Sequence, residues 1–165
     1  MAKPTKYATI ICIVLTLLAI AGVIMAFLKN NPLILVGFLL PAVIYEAYRT
    51  EGKSTKWSSW ALLAIFVLEI ILIAFKINFD LASFLEKTQT TVAGYTVPLG
   101  DVKIVGPTIV AILSVVLFIK TRGVYTKWLA VIIFLGSFSL IYLLNPDVFQ
   151  ILLKFGVEQG LQQIK

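Results

Sequence analysis

The sequence predicts an all-α integral membrane protein with about five transmembrane helices. Hydrophobic residues make up 60% of the 165 residues and charged residues only 13%, whereas soluble domains have roughly 45–50% and about 25%. The mean hydropathy is +1.00. The apolar residues are gathered into runs, several of which approach the roughly 20 residues that a spanning helix needs. This composition excludes an ordinary soluble globule, a disordered tail and a disulfide-stabilised scaffold.

The residue counts also exclude several kinds of chemistry. The chain has no histidine and one cysteine, Cys12, which excludes His-ligated zinc or haem and an intramolecular disulfide. The net charge of +6 comes mostly from basic residues beside apolar runs, a placement typical of contact with anionic lipid headgroups. We therefore expect the lipid bilayer as surroundings, no nucleic-acid partner, no metal and no cofactor.

The spans follow one another with short connections. The apolar run at 7–28 continues past a possible signal-peptide cleavage site, so we interpret it as a retained helix. A tight reversal at 29–32 follows, in which Asn31 is expected to cap the next helix and Pro32 to occupy its first position. A bend is expected at Pro41. The remaining spans are expected at 33–48, 57–75, 104–119 and 128–144.

The distribution of lysine and arginine predicts the orientation. With five spans, the N-terminus and the loops at 49–56 and 120–127 share one side. The basic residues of that side are Lys3, Lys6, Arg49, Lys53, Lys56, Lys120, Arg122 and Lys127. Because short basic loops stay in the cytoplasm, the pattern predicts an N-terminus inside and a C-terminus outside, in a plasma (inner) membrane.

The two basic loops resemble each other. Residues 49–57 and 120–128 share the pattern [K/R]-T-x-G-x-x-T-K-W. We expect the threonine before each Lys-Trp pair to cap the following helix, and the Lys-Trp pair to contact lipid headgroups. The expected headgroup contacts are Lys53, Lys56, Trp57, Lys120, Arg122, Lys127 and Trp128.

The resemblance extends beyond the loops and suggests a parallel internal repeat. Each following span leads into an amphipathic stretch, predicted to be an outer interfacial helix, at 78–88 and again at 146–158. The repeated units would cover 32–89 and 107–156, with a binding crevice between the two helical hairpins. The alternative is that membrane-topology rules produced similar loops twice. The intervening segment 89–103 is expected to form an outer loop or a hairpin that turns at Pro98-Leu99-Gly100-Asp101.

Glu69 is the strongest candidate for a functional residue. It interrupts an apolar run about 18 Å along the helix from Trp57, and a carboxyl group at that depth is costly. It is either a proton or cation site, or a protonated acid that is hydrogen-bonded to a neighbouring helix. The possible polar neighbours at related depth are Thr16, Ser114, Ser137 and Ser139.

Glu46 and Arg49 lie near the loop end of the second span. Their i, i+3 spacing predicts a local ion pair that fixes the depth of the helix at the interface. Arg49 could also contact lipid phosphate.

Three classes of function remain open from the sequence. The favoured one is a non-enzymatic subunit or scaffold of a membrane complex, with a membrane-protein partner or a second copy of the chain, because no catalytic motif is present. The alternative is a small channel or transporter that uses Glu69. The third is an enzyme that acts on a lipid or quinone-like substrate at the outer interface, with Asp80, Tyr95, Asp101 and Asp147 as its candidates.

Overall fold

The protein is an all-α membrane protein, and the part of the chain that the structure describes contains five apolar helices. The computed structural model describes residues 6–50, 53–75, 89–92, 95–98, 102–147, 149–150 and 154. The helices are α1 (Ala8–Lys29), α2 (Pro32–Arg49), α3 (Lys53–Ala74), α4 (Val102–Lys120) and α5 (Val124–Leu144). Four of them are long and apolar enough to cross a membrane, and α4 contributes a fifth, shorter apolar helix over Ile104–Lys120. Helices suit this setting because each satisfies its own backbone hydrogen bonds within hydrocarbon.

Local chemistry sets the reversal between α1 and α2. Asn30 takes a left-handed conformation with φ 46° at the end of α1, which lets the N–H of Asn31 reach back to the Ala26 carbonyl at 3.1 Å. The Asn31 side chain then accepts a hydrogen bond of 3.0 Å from the Leu33 N–H, and Pro32 opens α2. The predicted cap is thus confirmed. The helix continues through Pro41.

The predicted threonine caps are wrong. Helix α3 begins at Lys53, before Thr55. Helix α5 has Gly123 at its N-cap, and the Thr126 hydroxyl donates back to the Gly123 carbonyl at 2.8 Å. Each helix starts closer to the glycine than the sequence suggests, so that the threonine falls inside the first turn.

Helices α2, α3, α4 and α5 form a ring in which each contacts the next and α5 returns to α2. Helix α1 lies outside this ring, against α2 and α5. Gly22 of α1 allows a close approach, since a methyl group there would overlap the Phe38 side chain of α2. The four-helix core is apolar, and its largest buried members include Leu39, Leu62, Phe66, Leu117, Leu129, Ile133 and Leu140.

The start of α1, the end of α2, the start of α3 and the α4–α5 connection lie at one end of the bundle, because α1, α3 and α5 run antiparallel to α2 and α4. We call this the tryptophan end. Trp57, Trp60 and Trp128 lie near it and are 79%, 54% and 38% exposed, as expected for rings that contact lipid at an interface. The orientation of this end relative to the membrane stays a prediction.

The segment between α3 and α4 contains a small hairpin. Strands β1 (Gln89–Val92) and β2 (Tyr95–Pro98) pair antiparallel, with Val92 opposite Tyr95. The hairpin does not turn at 98–101 as predicted, because Pro98 belongs to β2 and pairs with Gln89. The residues that follow the predicted turn belong to α4, which begins at Val102.

The predicted interfacial helix at 78–88 lies outside the described residues, and the one at 146–158 is described at a few positions only. Asn145 is the C-cap of α5, and its side chain accepts a hydrogen bond of 3.1 Å from the Asp147 N–H. The same pair of residues, an asparagine followed by a proline, begins α2. Phe149 packs back on α5 through ring contacts with Phe138 and Tyr142.

Candidate functional site

One face of α3 points into the ring and carries both apolar and polar residues. Its buried members recur at alternating steps of three and four residues, the spacing of a helix seam. They are Ser59, Leu62, Phe66, Glu69 and Ile73. Ser59 lies toward the tryptophan end and Glu69 lies about 15 Å further along the helix axis.

Glu69 lies at the contact between α3 and α4. Its side chain is 1% exposed, and its carboxyl group rests directly on Gly106 of α4. A methyl group on Gly106 would overlap Oε2 of Glu69 and approach Cδ to 3.0 Å. Glycine is therefore what makes room for the acid at this point.

Pro107, the next residue of α4, is also buried. Proline has no backbone N–H, so the carbonyl four residues earlier, that of Lys103, cannot receive the usual helical hydrogen bond from it. A buried carboxyl group thus lies one residue away from an interruption in the hydrogen-bond ladder of α4. Such interruptions within a membrane occur where protein or a cavity satisfies the backbone.

The four polar residues expected near Glu69 have other partners. The hydroxyls of Ser114, Ser137, Ser139 and Thr16 donate to main-chain carbonyls of their own helices at 2.6–3.0 Å. Ser114 is the one on α4, and it lies about 12 Å along the helix from Gly106. Thr16 also accepts a hydrogen bond of 3.1 Å from the Trp128 indole, on the far side of the bundle from α3. From the sequence we could infer that these residues lie at depths similar to that of Glu69, but not which face of its helix each residue occupies.

Glu46 and Arg49 are buried, with 1% and 5% exposure, and their position at the membrane interface stays a prediction. Oε1 of Glu46 accepts hydrogen bonds from the hydroxyls of Thr50 at 2.6 Å and Ser59 at 3.0 Å. Nη1 of Arg49 instead donates to the Tyr45 hydroxyl at 3.3 Å. Thr50 and Tyr45 each lie four residues from their partner in sequence, whereas Ser59 reaches Glu46 from α3. The ion pair between Glu46 and Arg49 stays a prediction.

The guanidinium group of Arg49 lies over an aromatic ring of another helix. Its Cζ is 4.8 Å from the centroid of the Tyr125 ring on α5, a cation–π distance. The Tyr125 hydroxyl in turn lies 2.6 Å from the Thr9 hydroxyl of α1. Arg49 thus ties α2 to α5, and Tyr125 ties α5 to α1, at the tryptophan end.

Of the predicted headgroup contacts, Lys56, Lys120 and Arg122 are exposed in the structure, as are Trp57 and Trp128. Lys127 is half-buried, with its ammonium group 5.4 Å from the Phe118 ring centroid. The side chain of Lys53 lies outside the described residues. Contact of these residues with lipid stays a prediction.

An apolar groove of about 320 Å³ runs between α1 and α5. Leu39 of α2 and Gly136 of α5 are among its lining residues, and Ile20 and Ile24 of α1 line it too. The Trp128–Thr16 hydrogen bond joins the two helices at one end of the groove. The Phe27 and Tyr142 rings, 5.7 Å apart between centroids, join them toward the other end.

Of the candidates for an enzyme site, Asp147 is the one whose side chain is described, and it is exposed. Asp80 and Asp101 are not described, and the same holds for the side chain of Tyr95. Within the described ranges, no three Cys, Asp or Glu side chains lie close enough together to hold a metal ion.

Comparisons of the chain with protein-family models, with curated proteins and with solved structures gave no significant match. The class that the fold defines is a multi-pass α-helical membrane protein.

Proposed function

We propose that the chain carries protons across the bilayer, and that Glu69 binds the proton at the contact between the α2–α3 and α4–α5 hairpins. The observation that carries the proposal is the burial of the Glu69 carboxyl group against Gly106. This contact lies beside Pro107, where one helical hydrogen bond of α4 is missing. A buried ionisable group in an apolar span is costly to keep. The sequence alone favoured a subunit role, but the position of Glu69 between the hairpins supports transport better.

A comparison of the two hairpins supports a role for Glu69 beyond packing. When Trp57 is aligned with Trp128, Glu69 aligns with Leu140, which is equally buried at 1% exposure. Under this alignment the same position is buried in both hairpins, whether the side chain is an acid or an apolar one. An acid is therefore not needed there to fill space, and the predicted duplication supplies a natural control.

The test uses purified protein in liposomes with a pH-sensitive dye inside and a potassium diffusion potential across the membrane. Wild-type vesicles should acidify or alkalise according to the sign of the potential. Glu69→Gln keeps the size of the side chain but cannot titrate, and it should lower the rate by about a hundredfold, the low end of what a positioned proton-transferring group contributes.

The control is Glu51→Gln, the same chemical change in the α2–α3 connection, which should leave the rate unchanged. Wild-type vesicles that behave like empty ones would contradict the proposal, as would an active Glu69→Gln variant. A rate that depends on external sodium would instead assign the site to a metal cation.

A role as a subunit of a membrane complex is the second candidate, and the α1–α5 groove favours it. The groove lies between α1 and α5, and the hydroxyls of its polar residues Thr16 and Ser139 donate to their own helices. The groove is therefore suited to apolar side chains of a partner helix.

Native mass spectrometry after gentle extraction tests this second role. Ile20→Trp should fill the groove and release a bound partner. Leu17→Trp is the matched control, because Leu17 is 62% exposed on α1 and does not line the groove. A monomer with no partner, or a complex that survives Ile20→Trp, would count against the subunit role.

A further inference from the structure

The carboxyl group of Glu46 is held on one side only. Oε1 accepts the two hydroxyl hydrogen bonds from Thr50 and Ser59. Oε2 is buried, and within the described part of the chain it has no hydrogen-bond partner. A buried carboxyl oxygen without a partner is expensive, so its retention needs a reason beyond the anchoring of Oε1.

We propose that Glu46 is a second proton-binding site, at the tryptophan end of the route that passes Glu69. The inference rests on the proposed function, since it adds a second proton-binding site to the same path. A proton from water at the tryptophan end adds to Oε2 and converts the carboxylate to a neutral acid. The hydroxyls of Thr50 and Ser59 hold Oε1 in both states, so that Oε2 is the atom that gains and loses the proton.

Glu46 reaches the route through α3. Ser59, which donates to Glu46, lies on the inward face of α3 that also carries Glu69. Glu46 thus contacts, through Ser59, the face of α3 that carries Glu69, and Ser59 and Glu69 lie about 15 Å apart along the helix axis. Glu46 lies toward the tryptophan end and Glu69 toward the opposite end, which is the order that a path through the bundle requires.

Leu62 and Phe66 occupy the same face between the two acids, with 0% and 1% exposure. These apolar side chains separate the two polar sites, so a proton on Glu46 has no hydrogen-bonded connection to Glu69 through this stretch of α3. Transfer therefore requires water to enter or α3 to move. The arrangement corresponds to a gated carrier rather than to a continuously open channel.

The titratable and charged groups around Glu46 come from all three helices that pack on α2. Arg49 lies one turn away on the same helix but donates toward Tyr45 and lies over Tyr125. The titratable groups that the neighbouring helices carry toward the tryptophan end include Cys12 of α1, Lys56 at the start of α3, and Tyr125 and Lys127 of α5. Among these groups, Arg49 is the buried cation, with 5% exposure.

The second hairpin lacks this site. Aligned as before, Glu46 corresponds to Leu117 and Ser59 to Ala130, and both are 1% exposed. Thr121 corresponds to Thr50, and its buried hydroxyl has no hydrogen-bond partner in the described residues. The threonine is present in both hairpins, whereas the acid and the serine occur only in the one that also holds Glu69.

The test compares Glu46→Gln with Glu51→Gln in the liposome assay. Glu46→Gln should lower the proton flux by about a hundredfold, and Glu51→Gln should leave it unchanged. Flux that is lost in Glu69→Gln but kept in Glu46→Gln would overturn the second site and leave the proposed function intact. Absence of flux in the wild type would instead overturn the proposed function.

A second measurement reports on Glu46 without relying on flux. Infrared difference spectra between acidic and alkaline buffer should contain a carbonyl band of a protonated carboxylic acid that disappears in Glu46→Gln and persists in Glu51→Gln. A spectrum identical in the wild type and Glu46→Gln would overturn the inference. If Glu46→Gln does not fold, Ser59→Ala keeps the acid while it removes one donor, and it should shift the pH at which this band appears; an unshifted band would count against the site.

Discussion

Gly106→Ala tests the contact that places Glu69. The new methyl group would overlap Oε2 of Glu69, while Cδ lies 3.0 Å and Cγ 3.8 Å from it. All three nearest atoms belong to one side chain, so the carboxyl group must move away from α4 to accept the alanine.

The size of the effect follows from a comparison with Gly37→Ala. Gly37 lies in α2, and a methyl group there meets nothing within 4 Å. Both changes gain the same helix propensity, roughly 0.5–1 kcal/mol, so that term cancels between them. Overpacking costs about 1–3 kcal/mol, and we expect Gly106→Ala to be less stable than Gly37→Ala by that amount. The lower part of the range is favoured because the displaced atoms are the far end of a flexible side chain.

The assay is reversible unfolding in mixed micelles with increasing SDS, followed by tryptophan fluorescence and circular dichroism. A double-mutant cycle with Glu69→Ala isolates the contact, because the alanine at 106 should cost nothing extra once the carboxyl group is gone. The reasoning is refuted if Gly106→Ala is as stable as Gly37→Ala, or if its penalty persists in the Glu69→Ala background.

Three further substitutions test other contacts by the same unfolding assay. In Gly22→Ala the new methyl group would overlap Cβ of Phe38, which is fixed to the backbone and cannot move away as a carboxyl group can. This variant should therefore lose more stability than Gly106→Ala, and equal losses would contradict that order. Asn31→Ala removes the cap of α2 and should lower the free energy of unfolding by about 1 kcal/mol. An unchanged stability would mean that the cap is dispensable. Ser59→Ala removes a donor to buried Glu46 and should cost about 1–3 kcal/mol, and a neutral result would show that water replaces the hydroxyl.

Several features could be predicted from the sequence because they depend on local chemistry. The reversal between α1 and α2 is one example, since the asparagine cap and the proline at the first position act within a few residues. Glu69 is another, because a single acid in an apolar run is visible without any knowledge of its neighbours. The limits of the helices follow from apolar run lengths, although α3 and α5 begin about one turn earlier than expected.

The partners of the buried polar groups could not be predicted in this way. Gly106 was visible as part of a Gly-Pro pair, but nothing in the sequence indicated that it lies opposite Glu69. The expected pairing of Glu46 with Arg49 relied on sequence spacing, whereas Ser59 reaches Glu46 from another helix. The duplication and the orientation of the bundle in the membrane stay predictions.

The sequence by itself determined that this chain is a bundle of apolar helices with a costly acid in one of them. Hydropathy and run length act one helix at a time, so they need no knowledge of packing. The tertiary structure decided which face of each helix meets which neighbour, and it thereby set Glu69 on Gly106 and Glu46 on Ser59. These contacts join residues far apart in the chain, and they arise from the rotation of each helix about its axis, which local patterns do not fix.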